Sequence, residues 1–227
     1  MKLYCHPISL IPWRVHIALH EKGQGFEEVH IDVNQAHGRD EAFLRLNPFG
    51  QIPVLDDDGF VVADSIAILE YLEEKFPEPA LMPPSTSTHF ATRARIRQFM
   101  CWSSAHWMPG WKGWIGGRAE SADGTSAMAQ EGRSILAHHL DVLQGQLDRA
   151  DDPRDDRAGI GSDDAKSDDW LVGEFSLADV CYAPLVLLLT PAGLKDEVSA
   201  RPSVADWVRR LRARPSVETA MGAMLGG

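Results

Sequence analysis

The 227-residue chain is short of cysteine, of basic charge and of long apolar runs. Its three cysteines (Cys5, Cys101, Cys181) lie far apart, and no Cys-x-x-Cys pair occurs. That rules out a disulfide framework and suits a reducing compartment, so the chain is expected to be cytoplasmic. Lys and Arg number 22 against 33 Asp and Glu, a formal net charge of −11. Such a balance argues against nucleic acid or an anionic membrane as partner. The longest apolar stretch, Val180–Leu189, falls short of the roughly 20 residues that a spanning helix needs. The opening Met1-Lys2-Leu3-Tyr4-Cys5-His6-Pro7 has no apolar signal-peptide core. There is no glycine-rich phosphate loop, and the nine histidines are scattered. His16 and His20 are four apart, but the Glu of a zincin motif is missing between them, so they read as a surface pair and no metal site is expected.

What is present is an ordinary globular composition, 44% hydrophobic and 24% charged, in a chain long enough for one large domain or two small ones. Leu3-Tyr4-Cys5 reads as a short strand stopped by Pro7. Pro12 suits the first turn of a helix that carries Val15, Ala18 and Leu19 and stops at Gly23. Val29, Ile31 and Val33 alternate with polar residues, which predicts a second strand, and Asp40–Leu46 a short helix or turn. Two strands flank the turn Asp57-Asp58-Gly59, and a helix carrying Ile66, Leu69 and Leu72 follows.

Residues 78–88 are rich in proline and serine and mark a domain boundary, with residues 1–77 before it and 89–227 after it. The second part reads as all-helical. Its first long helix, His89–Met108, is expected to break or kink at Pro109-Gly110, and Ala127–Leu147 forms the next. Residues 151–169 carry eight Asp against three basic residues and are expected to form a mobile acidic loop. A buried helix kinked at Pro184 and an amphipathic one over Pro202–Arg214 complete the chain. Ser176-Leu177-Ala178-Asp179 has the form of a capping box, which gives Ser176 and Asp179 a structural role at a helix start.

The most informative stretch is Asn47-Pro48-Phe49-Gly50-Gln51-Ile52-Pro53-Val54-Leu55. An Ile-Pro bond at a strand entry can be cis, since that form costs only about 0.5–1 kcal/mol for a tertiary amide. A cis bond here would leave the N–H and C=O of Ile52 unpaired, a docking edge for an extended peptide.

In four places the sequence resembles the glutathione S-transferase superfamily: the Asn47–Leu55 segment, Asp64-Ser65-Ile66-Ala67-Ile68 running on to Tyr71-Leu72, Ser176–Asp179, and the closing Arg214-Pro215-Ser216-Val217. The opening residues 3–19 look most like its serine-type classes, the zeta class above all. Zeta proteins carry Ser-Ser-Cys where this chain has Ser9-Leu10-Ile11. The resemblance implies a thioredoxin-like N-terminal domain (βαβ then ββα, a mixed four-stranded sheet) and an all-α C-terminal domain. It implies glutathione as co-substrate, no metal, a homodimer, and a detoxifying transferase acting on small apolar electrophiles.

On the same resemblance, Ser9 holds the glutathione thiolate through its hydroxyl. The backbone of Ile52, next to Pro53, pairs with the cysteinyl unit, and Asp64 and Ser65 hold the γ-glutamyl end. Gln51, His37 and Arg39 are candidates for the glycine carboxylate. His106, Trp107 and Trp111, on the first long helical stretch of the second domain, could line an electrophile pocket or serve helix packing. Conjugation, isomerisation and dehalogenation remain open, as does a non-catalytic glutathione-binding or assembly protein. Thiol–disulfide exchange is disfavoured, because no cysteine stands at position 9.

Overall fold

The computed structural model describes residues 1–32, 40–86, 88–150 and 170–225. His37, Arg39 and the acidic segment 151–169 lie outside the described residues. The chain divides into two compact units, one of Met1–Leu81 with Arg212–Gly227 and one of Met82–Leu211.

In the first unit, β1 (Lys2–Cys5), α1 (Pro12–Glu21) and β2 (Glu27–His30) are followed by α2 (Glu41–Leu46), β3 (Val54–Asp57), β4 (Phe60–Ala63) and α3 (Ser65–Lys75). The four strands form one sheet in the order β2-β1-β3-β4. β1 runs parallel to β2, and the other two pairings are antiparallel. This is the mixed sheet of a thioredoxin-like domain. Leu3 pairs with Leu55 and Leu55 with Val62, which lines an apolar row across the sheet. The β3–β4 hairpin turns through Asp58 (φ 52°) and Gly59 (φ 95°), two positive angles that match the right-handed twist of the strands.

Helix α1 begins at Pro12, whose missing N–H costs nothing there, and ends before Gly23 (φ 63°). It is buried from Pro12 to Leu19. The expectation of a surface pair therefore fails for His16, which is only 3% exposed. The reason is distant in sequence: the last helix, α10 (Pro215–Leu225), belongs to this unit and packs on α1. Arg214 clamps the carboxylate of Glu21 through Nε (2.6 Å) and Nη2 (2.9 Å), and the Ser216 hydroxyl donates to the same carboxylate. At the end of α1, the buried Lys22 ammonium meets Glu73 of α3 at 2.5 Å and the Pro79 carbonyl at 2.6 Å.

The second unit contains α4 (Phe90–Ala105), α5 (Trp107–Glu120), α6 (Ala127–Ala150), α7 (Leu177–Leu187), α8 (Lys195–Ser199) and α9 (Pro202–Arg212). The break in the first helical stretch falls at His106, not at Pro109-Gly110. Pro109 lies in the first turn of α5, where backbone donors lack helical partners in any case. The glycines of α5 serve helix crossing instead. A Cβ on Gly117 would stand 2.2 Å from the Ala129 nitrogen, and one on Gly132 of α6 would stand 2.3 Å from the Trp114 nitrogen. Helix α7 is buried throughout and carries Pro184 inside it. Ser176 and Asp179 form its capping box. The Asp179 carboxylate also accepts from the Leu171 N–H (3.1 Å) and Trp207 Nε1 (2.9 Å), so it ties α7 to α9. Burial outweighs these donors and pushes its pKa up to about 6. Among the described residues, no helix is long and apolar enough to cross a membrane.

Candidate functional site

Ser9 lies in the loop between β1 and α1, three positions before the helix opens. Its N–H donates to the His6 carbonyl (3.0 Å), which turns the chain tightly toward Pro12. The residue is half-buried, and its hydroxyl finds no hydrogen-bond partner among the described residues. Cys5, at the end of β1, is 2% exposed, and burial together with the Glu28 carboxylate pushes its pKa up to about 12. A thiol held protonated in this way is no nucleophile. Tyr4 is half-buried with its ring 5.9 Å from Phe43, so its aromatic body is spent on packing.

The Ile52–Pro53 bond is cis. Neither the N–H nor the C=O of Ile52 has a partner among the described residues, while Pro53 behind it is buried. Two residues give this loop its shape. The Asn47 side chain, 4% exposed, donates to the Gln51 carbonyl (2.7 Å) and accepts from the Phe49 N–H (3.1 Å). Gly50, at φ 62°, permits the turn. The Gln51 side chain is exposed.

Asp64 caps α3 by accepting from the Ile66 N–H (2.8 Å) and does so at φ 78°, an uncommon angle for a non-glycine residue. Ser65 opens the helix and is buried, and its hydroxyl accepts from Arg14 Nη1 at 3.3 Å. Arg14 has no exposed surface. A guanidinium thus lies beneath the first turn of α3, where the helix already presents free N–H groups and a partial positive charge. An anion set against that turn meets both. In sequence Arg14, with Arg39, is a basic residue near the site that could supply local positive charge, and nothing local says that it faces the site; Asn47 belongs to the Asn47–Leu55 segment without a role of its own. The only signal was a charged residue inside an otherwise apolar helix face, and an Asn just ahead of a Pro-Phe-Gly turn.

In the second unit, Trp107 is fully buried, with its ring edge-on to His139 (5.3 Å) and Tyr182 (6.0 Å). It is a packing residue and has no face free for a ligand. His106 is exposed and Trp111 half-buried.

The family model described as "Glutathione S-transferase, N-terminal domain" matches residues 1–74. Glutathione S-transferase 3 of Zea mays is 30% identical over 236 residues, covering 99% of this chain and 94% of the maize protein. A zeta-class glutathione S-transferase of Euphorbia esula reaches 42%, but over 83 residues, 37% of either chain. Among solved structures, glutathione transferase F7 from Populus trichocarpa superposes with a TM-score of 0.79 at 26% identity, covering 98% of each chain.

Proposed function

The chain belongs to the glutathione S-transferase family, and from that premise we propose that its Ser9 hydroxyl holds the glutathione thiolate and directs it at an apolar electrophile. The observation that carries this reading is a half-buried hydroxyl, free of partners among the described residues, on the loop entering α1. A thiol with a pKa near 8.5 is mostly neutral at pH 7. Lowering it by about two units takes about 2.7 kcal/mol of selective anion stabilisation. One charge-assisted hydrogen bond together with the N-terminus of a helix is of that size.

The other roles follow the tripeptide along the unit. The open N–H and C=O of Ile52 pair with its cysteinyl backbone, as an added strand would. The first turn of α3, with Ser65 and the buried Arg14, receives the γ-glutamyl carboxylate, and Asp64 its ammonium. Gln51 is the nearest candidate in sequence for the glycine carboxylate, and His37 and Arg39 are further ones. His106 and Trp111 are the side chains of the helical unit proposed to meet the electrophile. Substitution, addition, isomerisation and dehalogenation all start from this one thiolate. We propose further that the enzyme is a cytoplasmic homodimer, with size-exclusion chromatography coupled to light scattering as the check on assembly.

The decisive experiment is Ser9→Ala, assayed with a chlorodinitrobenzene as a generic electrophile across pH. The expected result is a fall in kcat/KM of about 100-fold at pH 7, the kinetic equivalent of about 2.7 kcal/mol. The apparent pKa of the rate should climb toward that of the free thiol, with KM for glutathione little changed. Equal rates and an unmoved pH profile would remove Ser9 from this role.

A further inference from the structure

Three residues that the chain keeps apart, on three different elements, meet on one face of the β2 side of the sheet. Cys5 ends β1, His16 lies in the middle of α1, and Glu28 is on β2. In the parallel β1–β2 pair Leu3 stands opposite Glu28 and Cys5 opposite His30. Side chains two apart in a strand share a face, so Cys5, Glu28 and His30 point to the same side. His16 reaches that side from α1. Its Nδ1 lies 3.6 Å from Glu28 Oε1, and Cys5 Sγ lies 3.8 Å from Glu28 Oε2. The three ligand atoms all lie within 4.8 Å of one another.

We propose that Cys5, His16 and Glu28 form a binding site for a zinc ion, separate from the glutathione site. Tetrahedral zinc with sulfur, nitrogen and oxygen ligands has edges of about 3.3–3.6 Å, so the three ligand atoms have to draw together from separations of up to 4.8 Å. The Glu28 side chain is 43% exposed and can turn one oxygen toward both partners, while Cys5 and His16 lie in the interior. The His16 ring is held between Trp13 (4.7 Å) and Phe26 (5.1 Å), which fixes its direction. His30 Nε2, 3.2 Å from Glu28 Oε2, stands exposed at the rim.

The charges balance. Zinc replaces the thiol proton, which leaves to solvent, and the dication is matched by one thiolate and one carboxylate with a neutral imidazole. A soft sulfur, a borderline nitrogen and a hard oxygen together suit zinc better than magnesium or calcium, which take oxygen alone.

The test uses the full chain, stripped with a chelator and kept free of glutathione, which binds zinc itself. Titration with zinc should load one equivalent and raise the Tm. Cobalt(II) as a stand-in should give a thiolate-to-metal charge-transfer band in the near ultraviolet. Cys5→Ser should abolish the band, and Glu28→Gln, at a half-exposed position that leaves packing alone, should weaken zinc binding at least tenfold while conjugation activity stays at the wild-type level. A wild-type protein with no cobalt–thiolate band overturns the proposal. So does a band that survives Cys5→Ser but disappears in Cys101→Ser, or zinc affinity unchanged in Glu28→Gln.

Discussion

Arg14 and His139 show how differently burial treats two bases. Arg14 stays charged wherever it is placed, so a fully buried guanidinium under α3 is a fixed source of positive potential. Arg14→Met keeps the length and removes the charge. It should raise KM for glutathione about tenfold while leaving kcat within a factor of two or three, since the charge is proposed to act on the γ-glutamyl end and not on the sulfur. Steady-state kinetics with glutathione as the varied substrate reads that split. His139 responds the opposite way. It is 6% exposed, shares a 2.6 Å hydrogen bond with the Tyr182 hydroxyl, and has its pKa lowered from 6.5 to about 4 by burial, with His106 and His138 adding repulsion. Between those two values the unfolded chain binds the proton and the folded chain does not. The stability this neutral ring contributes is therefore complete above about pH 6.5 and drains away as pH falls toward 4, by up to about 3 kcal/mol. Denaturant melts at pH 7 and pH 5 should show the loss, and His139→Phe should flatten that part of the pH dependence even if it lowers stability at pH 7.

At the scale of elements, the crossing of α5 and α6 depends on the absence of side chains. Gly132→Ala puts a methyl 2.3 Å from the Trp114 nitrogen, a contact with backbone that no rotamer relieves. The helices must separate, and the expected cost is about 2–3 kcal/mol. Gly145→Ala on the same helix meets nothing within 4 Å and should stabilise by about 0.5–1 kcal/mol through helix propensity. Urea titration of the two variants side by side checks both signs. This contrast marks where sequence reading stops. The hairpin was legible because Asp58 and Gly59 are neighbours and their turn chemistry is local. The cis bond was legible because proline advertises it, and the capping box because its partners are three residues apart. The glycines of α5 were equally visible, but the partner that requires them, Gly132, sits on another helix, so Pro109-Gly110 read as a break. The metal-ligand cluster was hidden in the same way, by being spread over a strand, a helix and a second strand. Within the candidate site, Ser9, Ile52 and Asp64-Ser65 each carried a local signal, whereas the burial of Arg14 beneath α3 depends on how two helices pack.

For the molecule as a whole, the division of the chain is not the division of the sequence. The proline-rich stretch looks like a boundary between a first part and a second part, yet residues from 212 onward return to the first unit. Val217, Ala220 and Met221 of α10 are at most 2% exposed. Together they bury apolar area that no residue before position 82 replaces, and the Arg214–Glu21 clamp adds a charged, two-pronged contact. Deleting residues 212–227 should therefore uncover the face of α1, and the truncated chain should bind a hydrophobic dye and unfold at a Tm at least 10 °C lower. The isolated segment 1–81 should fail to give a sharp thermal transition, as followed by near-ultraviolet circular dichroism.

The place of α10 also sets an order of events during synthesis. The ribosome delivers every strand of the sheet early, but the helix that closes its unit emerges only after the whole helical unit has been made. Until α10 is made, the α1 surface waits without its cover.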